Sequence, residues 1–157
     1  MADIVIREAG RGDAPLILEF IRELADYEKM ADEVVATIDT IEEWIFSKKS
    51  AHVLFACLDG QEVGFAVYCY NFSTFVGRAG LYLEDIFVRP DFRGLGAGRA
   101  LLRHMADIAV KNGLGRMEWQ CLDWNAPSID FYLSLGARQM NGWTTYRLAG
   151  EDLLNNS

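Results

Sequence analysis

Apolar positions along the chain fall into two periods, and the switches between them mark the elements. Ile4-Val5-Ile6-Arg7 alternates weakly as a short first strand. Asp13 can cap a helix in which Pro15 is tolerated in the first turn, and Leu16, Ile17, Phe20, Ile21 and Leu24 make one stripe that runs out into Tyr27-Glu28-Lys29-Met30. Thr40-Ile41-Glu42-Glu43 reads as a capping box ahead of Trp44, Ile45 and Phe46. His52 to Leu58 and Glu62 to Tyr70 read as strands joined at the hairpin signal Asp59-Gly60. Asn71 to Thr74 breaks the pattern, and Gly80 leads into an apolar central strand, Leu81 to Val88. Leu101, Leu102, Met105, Ile108 and Ala109 recur at helical spacing until Asn112-Gly113. Met117 to Leu122 is a fifth strand, Asn125-Ala126-Pro127-Ser128 starts a capped helix filled by Ile129, Phe131, Tyr132 and Leu135 up to Gly136, and Trp143 to Leu148 is a terminal strand. A short tail, Glu151 to Ser157, ends polar. The pattern predicts an α+β (mixed α/β) architecture, a central, mostly antiparallel twisted sheet flanked by helices with one strand-helix-strand crossover. No linker divides it, so residues 1–157 are expected to form a single domain.

Composition narrows the class of partner. The chain has 157 residues, 51% hydrophobic and 24% charged, which is globular composition. A net charge of -8 and a pI near 4.7 argue against a nucleic-acid partner and suit a cationic substrate, with solubility alone an equally good explanation. Cys57, Cys69 and Cys121 are isolated, odd in number and set in apolar runs, as expected of thiols in a reducing compartment. His52 and His104 have no ligand spacing to them, so no metal site is expected. The start Met1-Ala2-Asp3-Ile4 lacks a basic leader, and no apolar run reaches membrane-spanning length. A soluble cytoplasmic protein without a membrane partner is the expectation.

Candidate chemistry gathers between Leu81 and Leu102. The central strand carries two carboxylates, Glu84 and Asp85, and Pro90 ends it before Arg93-Gly94-Leu95-Gly96-Ala97-Gly98 opens onto a helix at Arg99. Glycines there let a ligand approach the backbone, and the helix start offers unpaired N–H groups and a positive dipole end, a setting suited to a phosphate. Two familiar phosphate motifs fail. G-x-G-x-x-G would need a glycine at Arg99 or Leu101, and a P-loop would need a lysine where none lies between Lys49 and Lys111.

The remaining pattern, Arg93-x-x-Gly96-x-Gly98, resembles the pyrophosphate signature of the GNAT superfamily of acetyl-CoA-dependent N-acetyltransferases. The element order, Asn125 with Phe131-Tyr132, and Gly136-Ala137 extend the resemblance over nearly the whole chain. Tyr27-Glu28, Tyr82-Leu83-Glu84-Asp85-x-Phe87-Val88, the glycine loop and Trp124-Asn125-x-Pro127-Ser128-Ile129-x-Phe131-Tyr132 are similar to the diamine acetyltransferases, the spermidine/spermine N1-acetyltransferase group, whose near relatives also act on thialysine or other small amines. In one departure, Arg138 to Trp143 looks shorter than in the mammalian-type enzymes and lacks an acid that would assist polyamine binding.

The resemblance implies a GNAT fold, acetyl-CoA as co-substrate, a small cationic amine as acceptor, and a homodimer. A protonated amine must lose a proton before attacking a thioester, and Glu84 is the candidate base, its position in an apolar strand raising its pKa on burial; an anchor for the cation is the equal alternative. Strict alternation would turn Asp85 to the opposite face, as a structural partner. Tyr132 matches the catalytic tyrosine that would protonate the departing thiolate. Backbone amides of Ile86, Phe87 and Val88 would bind the pantetheine arm, and those of Arg93, Gly94, Leu95, Gly96, Ala97, Gly98 and Arg99 the pyrophosphate. Asn125, Pro127 and Ser128 would contact the cofactor, with an ordinary N-cap the competing role for Asn125. Tyr27 and Glu28 match a substrate-recognition pair, an aromatic wall and an anion. Acetylation of a peptide amine, or a non-catalytic acyl-CoA-binding regulator, are the other readings.

Overall fold

The computed structural model describes residues 3–157; Met1 and Ala2, part of the start read above for a leader, lie outside them. Two units divide the chain, Met1–Gln120 and Cys121–Ser157. The first holds a five-stranded sheet in the order of the sequence: β1 (Ile4–Glu8), β2 (His52–Leu58), β3 (Gln61–Ser73), β4 (Arg78–Val88) and β5 (Met117–Trp119). Its first four strands pair antiparallel, and β5 joins β4 in parallel after a crossover through α3 (Ala97–Lys111). A parallel neighbour requires such a crossover, and α3 supplies it with Leu101, Leu102, Met105 and Ala109 buried along one stripe.

Alternation along β2 and β3 divides the core between two faces. Val53, Phe55, Phe65 and Val67 join Phe87 and the buried stripe of α1 (Ala14–Tyr27) in one cluster. Within it Phe20 stacks on Phe65 with ring centres 5.1 Å apart and leans on Phe55 at 5.8 Å. Leu54, Ala56 and Ala66 lie outside this cluster and are buried on the face that α3 covers. Two arginines bind the edges of the α1 layer. Arg7 forms a paired bond to Asp13 at 2.8 and 2.9 Å and reaches Glu62 at 2.8 Å, while Arg89 bonds Glu23 and Glu19 and lies 4.4 Å over the Phe20 ring. Three glycines are set by close approach rather than by φ. A Cβ at Gly64 would fall 2.9 Å from the Phe87 carbonyl, at Gly80 2.6 Å from Asn71 Oδ1, and at Gly115 2.7 Å from Val76 Cγ1.

Several elements differ from the expectation. Asp13 sits at the N-cap of α1, but its carboxylate is taken by Arg7 and the Gly10 N–H and does not cap the helix. The box expected at Thr40 to Glu43 lies one turn earlier: Thr37 caps α2 (Ile38–Ile41) and Thr40 closes it, before a π-helical turn Glu42–Ser47. The polar stretch Asn71 to Thr74 does not end β3 at Tyr70, because the long hairpin keeps pairing to Ser73 opposite Arg78. Met117 to Leu122 is a strand only to Trp119.

The second unit contains α4 (Ala126–Ser134) and α5 (Gly150–Asn155). Its start is as expected, with Asn125 as N-cap and Pro127 in the first turn, and Gly136 at φ +90° follows the helix end. Among the described residues Trp143 to Leu148 forms no strand, and the short tail read as ending polar holds a helix, α5.

Candidate active site

The site is set by one irregularity in β4. Along β3, Val67 pairs with Asp85 but Tyr68 pairs with Leu83, so Glu84 is an extra residue, a β-bulge. The bulge resets the alternation. Leu81 and Leu83 are opposite Tyr70 and Tyr68, whereas Asp85 and Phe87 are opposite Val67 and Phe65 and so share the face covered by α1. Asp85 therefore lies on the α1 face, opposite to Leu81 and Leu83, with which strict alternation would have grouped it. Its neighbour Glu84 is exposed rather than buried. The pKa elevation falls on half-buried Asp85 instead: desolvation first, then the charges of Glu84 and Glu28, push its carboxyl up to about 6. Desolvation also raises Glu28, and burial together with the field of Glu84 raises Cys69 and Tyr82. Glu28, Glu84 and Asp85 thus form one acidic region near the end of α1.

The bulge is also where β4 and β5 part. Parallel pairing covers only Leu81, Leu83 and the residue between them, opposite Met117 to Trp119, and among the described residues no strand pairs with Glu84 to Val88 on that side. The Arg89 N–H donates to the Val63 carbonyl at 2.9 Å, on the β3 side. Counting back by the antiparallel alternation, Phe87 also faces β3, and the amides of Ile86 and Val88 turn to the outer edge. Val88 confirms this sense, because its carbonyl accepts from Arg93 Nε at 2.9 Å on the outer side.

Beyond the strand, Pro90–Phe92 makes one 3-10 turn and the glycine loop begins. Gly94 has φ +79° and Gly96, the N-cap of α3, has φ +94°, backbone conformations that a side chain would strain. Gly98 is different: it has no positive φ, and a Cβ there would touch only Val88 Cγ2 at an ordinary 3.7 Å. The fold needs Gly94 and Gly96, while Gly98 leaves a surface bare. Ala100 is the first residue of α3 to donate back into the helix, to Gly96 at 2.9 Å, so the N–H groups of Ala97, Gly98 and Arg99 have no partner within the helix. Leu95 and Arg99 are exposed on this loop and turn. An elongated ligand with a phosphate end fits both features, its arm along Ile86 and Val88 and its anion at Gly94 to Arg99.

Tyr27 ends α1 with its ring 6.1 Å from that of Phe87, and the guanidinium of Arg93 lies 4.7 Å from the Tyr27 ring. In the second unit Asn125 is buried and its side chain accepts from the Ser128 N–H at 3.4 Å, an N-cap. Tyr132 is half-buried with its ring 5.8 Å from Phe131, and its carbonyl accepts from Leu135 and Ala137 as α4 closes. The first unit brings Tyr27, Glu28, Glu84, Ile86, Val88 and the loop into one region. Sequence reasoning missed Asp85 as part of the acidic region and the side-chain role of Arg93; the only sequence signal was two consecutive acids inside an apolar strand.

A mixed sheet with a bulged, parted edge and a glycine loop feeding a helix defines a fold that solved proteins share. A structure from the mobile metagenome of V. cholerae, integron cassette protein VCH_CASS6, superposes with a TM-score of 0.81 at 26% identity, covering 98% of this chain and 96% of that one. The sequence matches the model of the acetyltransferase (GNAT) family over residues 18–137. It is 38% identical to a thialysine N-epsilon-acetyltransferase of Sus scrofa over 96% of this chain and 95% of that protein. It is also 34% identical to a spermidine/spermine N(1)-acetyltransferase-like protein 1 of Homo sapiens, over 96% of this chain and 23% of that protein. The chain belongs to the GNAT acetyltransferase family, and its sheet is the mostly antiparallel GNAT sheet flanked by helices.

The raised pKa of Asp85 carries a stability consequence. Its folded-state pKa lies above the ordinary carboxylate value, so stability from this group is complete below about pH 4 and is lost as pH rises through about 6. Asp85→Asn, which mimics the protonated acid, is expected to match the parent in urea denaturation at pH 4 and to exceed it at pH 7.5 by about 2–3 kcal/mol. Equal stability at both pH values would show that the carboxyl is not desolvated.

Proposed function

We propose that the chain is an N-acetyltransferase that uses acetyl-CoA to acetylate the primary amine of a small cationic metabolite, lysine-like as in thialysine or a diamine or polyamine. The observation that carries this is the bulge at Glu84, which opens a strand edge beside a cluster of three acids. The names of the relatives from Sus scrofa and Homo sapiens support the amine class, and a net charge of -8 favours a cationic acceptor. The shortened Arg138 to Trp143 segment inclines the reading toward the lysine-like amine. Residues 1–157 act as one acetyltransferase domain, a reading supported by the family match, which runs through both units.

Bound acetyl-CoA supplies an activated acyl group, and the chain's part is to hold and deprotonate. Ile86 and Val88, with Phe87 between them, orient the arm through the outer strand edge. The backbone of the loop Arg93, Gly94, Leu95, Gly96, Ala97, Gly98 and Arg99 holds the pyrophosphate, and Asn125, Pro127 and Ser128 contribute further contacts in keeping with the family motif. Glu84 takes the ammonium proton, directly or through a water, or anchors the cation; its exposure suits a group that meets solvent and substrate. Tyr27 and Glu28 receive the rest of the amine. Tyr132 returns a proton to the departing thiolate, a role resting on the motif. Attack is direct, as the family resemblance implies, and no cysteine falls within these motifs. The protein acts in the cytoplasm, supported by three free cysteines, and no helix among the described residues is long and apolar enough to cross a membrane. Nucleic acid is not a partner of so acidic a chain.

A homodimer completes the reading. Trp143 is 82% and Tyr146 91% exposed in the stretch expected to be a strand, apolar surface that a second copy would cover. Sedimentation at micromolar concentration is expected to give twice 17.7 kDa, and a monomer would remove the dimer.

The function itself is tested by CoA release from acetyl-CoA against spermidine, spermine, putrescine, thialysine, lysine, ornithine and a basic peptide. Selective turnover of one small amine is expected, with Tyr132→Phe lowering kcat about a hundredfold at little change in acetyl-CoA affinity. Preference for the peptide would favour protein acetylation, and binding without any turnover would favour the regulator.

A further inference from the structure

Arg93 opens the loop assigned to the pyrophosphate, yet its side chain is engaged on the protein side. Nε donates to the Val88 carbonyl at 2.9 Å, and the guanidinium carbon lies 4.7 Å from the Tyr27 ring centre and 5.4 Å from that of Phe87. Tyr27 and Phe87 are themselves 6.1 Å apart and tilted at 50°, so a single cluster joins the end of α1, β4 and the first residue of the loop. Among the described residues no carboxylate forms an ion pair with Arg93, which leaves these contacts to hold it. A planar, weakly hydrated guanidinium suits both tasks at once, one N–H to a carbonyl and a flat face to a ring; an ammonium cannot do both.

Arg93 therefore touches both halves of the proposed reaction site. Its backbone belongs to the loop that would hold acetyl-CoA, and its side chain packs the aromatic wall that would receive the amine. We propose that the Arg93 side chain is a positioning residue for the amine, fixing Tyr27 according to the state of the glycine loop, and is not a phosphate ligand. This rests on the acetyl-CoA and amine assignments made above. Coupling of this kind is reciprocal: an occupied loop that holds Arg93 in place favours amine binding, and the bound amine favours acetyl-CoA by the same factor.

Two measurements test it, on the full chain and on Arg93→Gln, Tyr27→Leu and the double variant. With the amine that is turned over, Arg93→Gln is expected to raise the amine KM about threefold to tenfold and to leave the Kd of acetyl-CoA, measured without amine, within about twofold. In the Tyr27→Leu background the same change is expected to add nothing further. A loss confined to acetyl-CoA binding, or effects of the two substitutions that multiply, would overturn the proposal and leave Arg93 a phosphate ligand. The second measurement needs no turnover. In protein labelled with 3-fluorotyrosine, the Tyr27 resonance, identified by its loss in Tyr27→Phe, is expected to move on titration with acetyl-CoA in the parent and to stay fixed in Arg93→Gln. That result together with no turnover of any amine would count against the amine assignment alone. A Tyr27 resonance that ignores acetyl-CoA in the parent, or moves equally in both proteins, would overturn the coupling.

Discussion

One extra residue in a strand determines how this molecule presents its chemistry. With Glu84 inserted between the pairs Tyr68–Leu83 and Val67–Asp85, β4 cannot keep both of its neighbours in register. It keeps β3, and β5 pairs no farther than Leu83. A strand edge that would otherwise be consumed in a ladder is left with the amides of Ile86 and Val88 facing outward. Unpaired backbone groups of that kind are costly to bury and ready to bind, which is why a bulge beside a site is better read as a device than as a defect.

The rest of the first unit holds that opening in place. Arg89, immediately beyond the strand, is tied to Glu19 and Glu23 of α1 and to the Glu62 carbonyl, and it covers the Phe20 ring at the centre of the core. Arg93 takes the Val88 carbonyl and stacks on Tyr27. Surface ion pairs contribute little singly, but both arginines bond to backbone and rings, Arg89 to acids as well, and they fix where the strand ends and the glycine loop starts. The same bulge gathers charge. The charges of Glu84 and Glu28 both act on half-buried Asp85, whose proton affinity rises.

Much of this was legible in the sequence, and what was not has physical causes. The strand-loop-helix order from Leu81 to Leu102, the hairpin at Asp59-Gly60, the α1 stripe and the cap at Asn125 follow from local periodicity and turn chemistry, and the structure has them. The glycine spacing, with the flanking motifs, was specific enough to point to the family. The bulge was not legible, because an inserted residue keeps the same composition and changes only the register against a partner strand. For that reason burial was expected at Glu84, which is exposed, and the desolvated carboxyl is that of half-buried Asp85. Thr37 is the cap in place of Thr40, and the Thr40 hydroxyl closes the turn by accepting from the Thr37 N–H, a pairing of two threonines that the usual box signature with a glutamate does not contain. Trp143 to Leu148 has the composition of a strand but joins no sheet among the described residues, and pairing in a ladder is what makes a strand.

The central claim is that the edge released by the bulge receives acetyl-CoA, and the alternation of β4 makes it sharply testable. Backbone amide exchange should be followed residue by residue with and without saturating acetyl-CoA. The account predicts slower exchange at Ile86 and Val88, whose amides face outward, and at Gly98 and Arg99 in the first turn of α3, with Phe87 slow and unchanged because its amide is already held by β3. Unaltered exchange at Ile86 and Val88 in protein shown to be saturated would contradict it, and would mean that the parted strand edge is not where the cofactor lies.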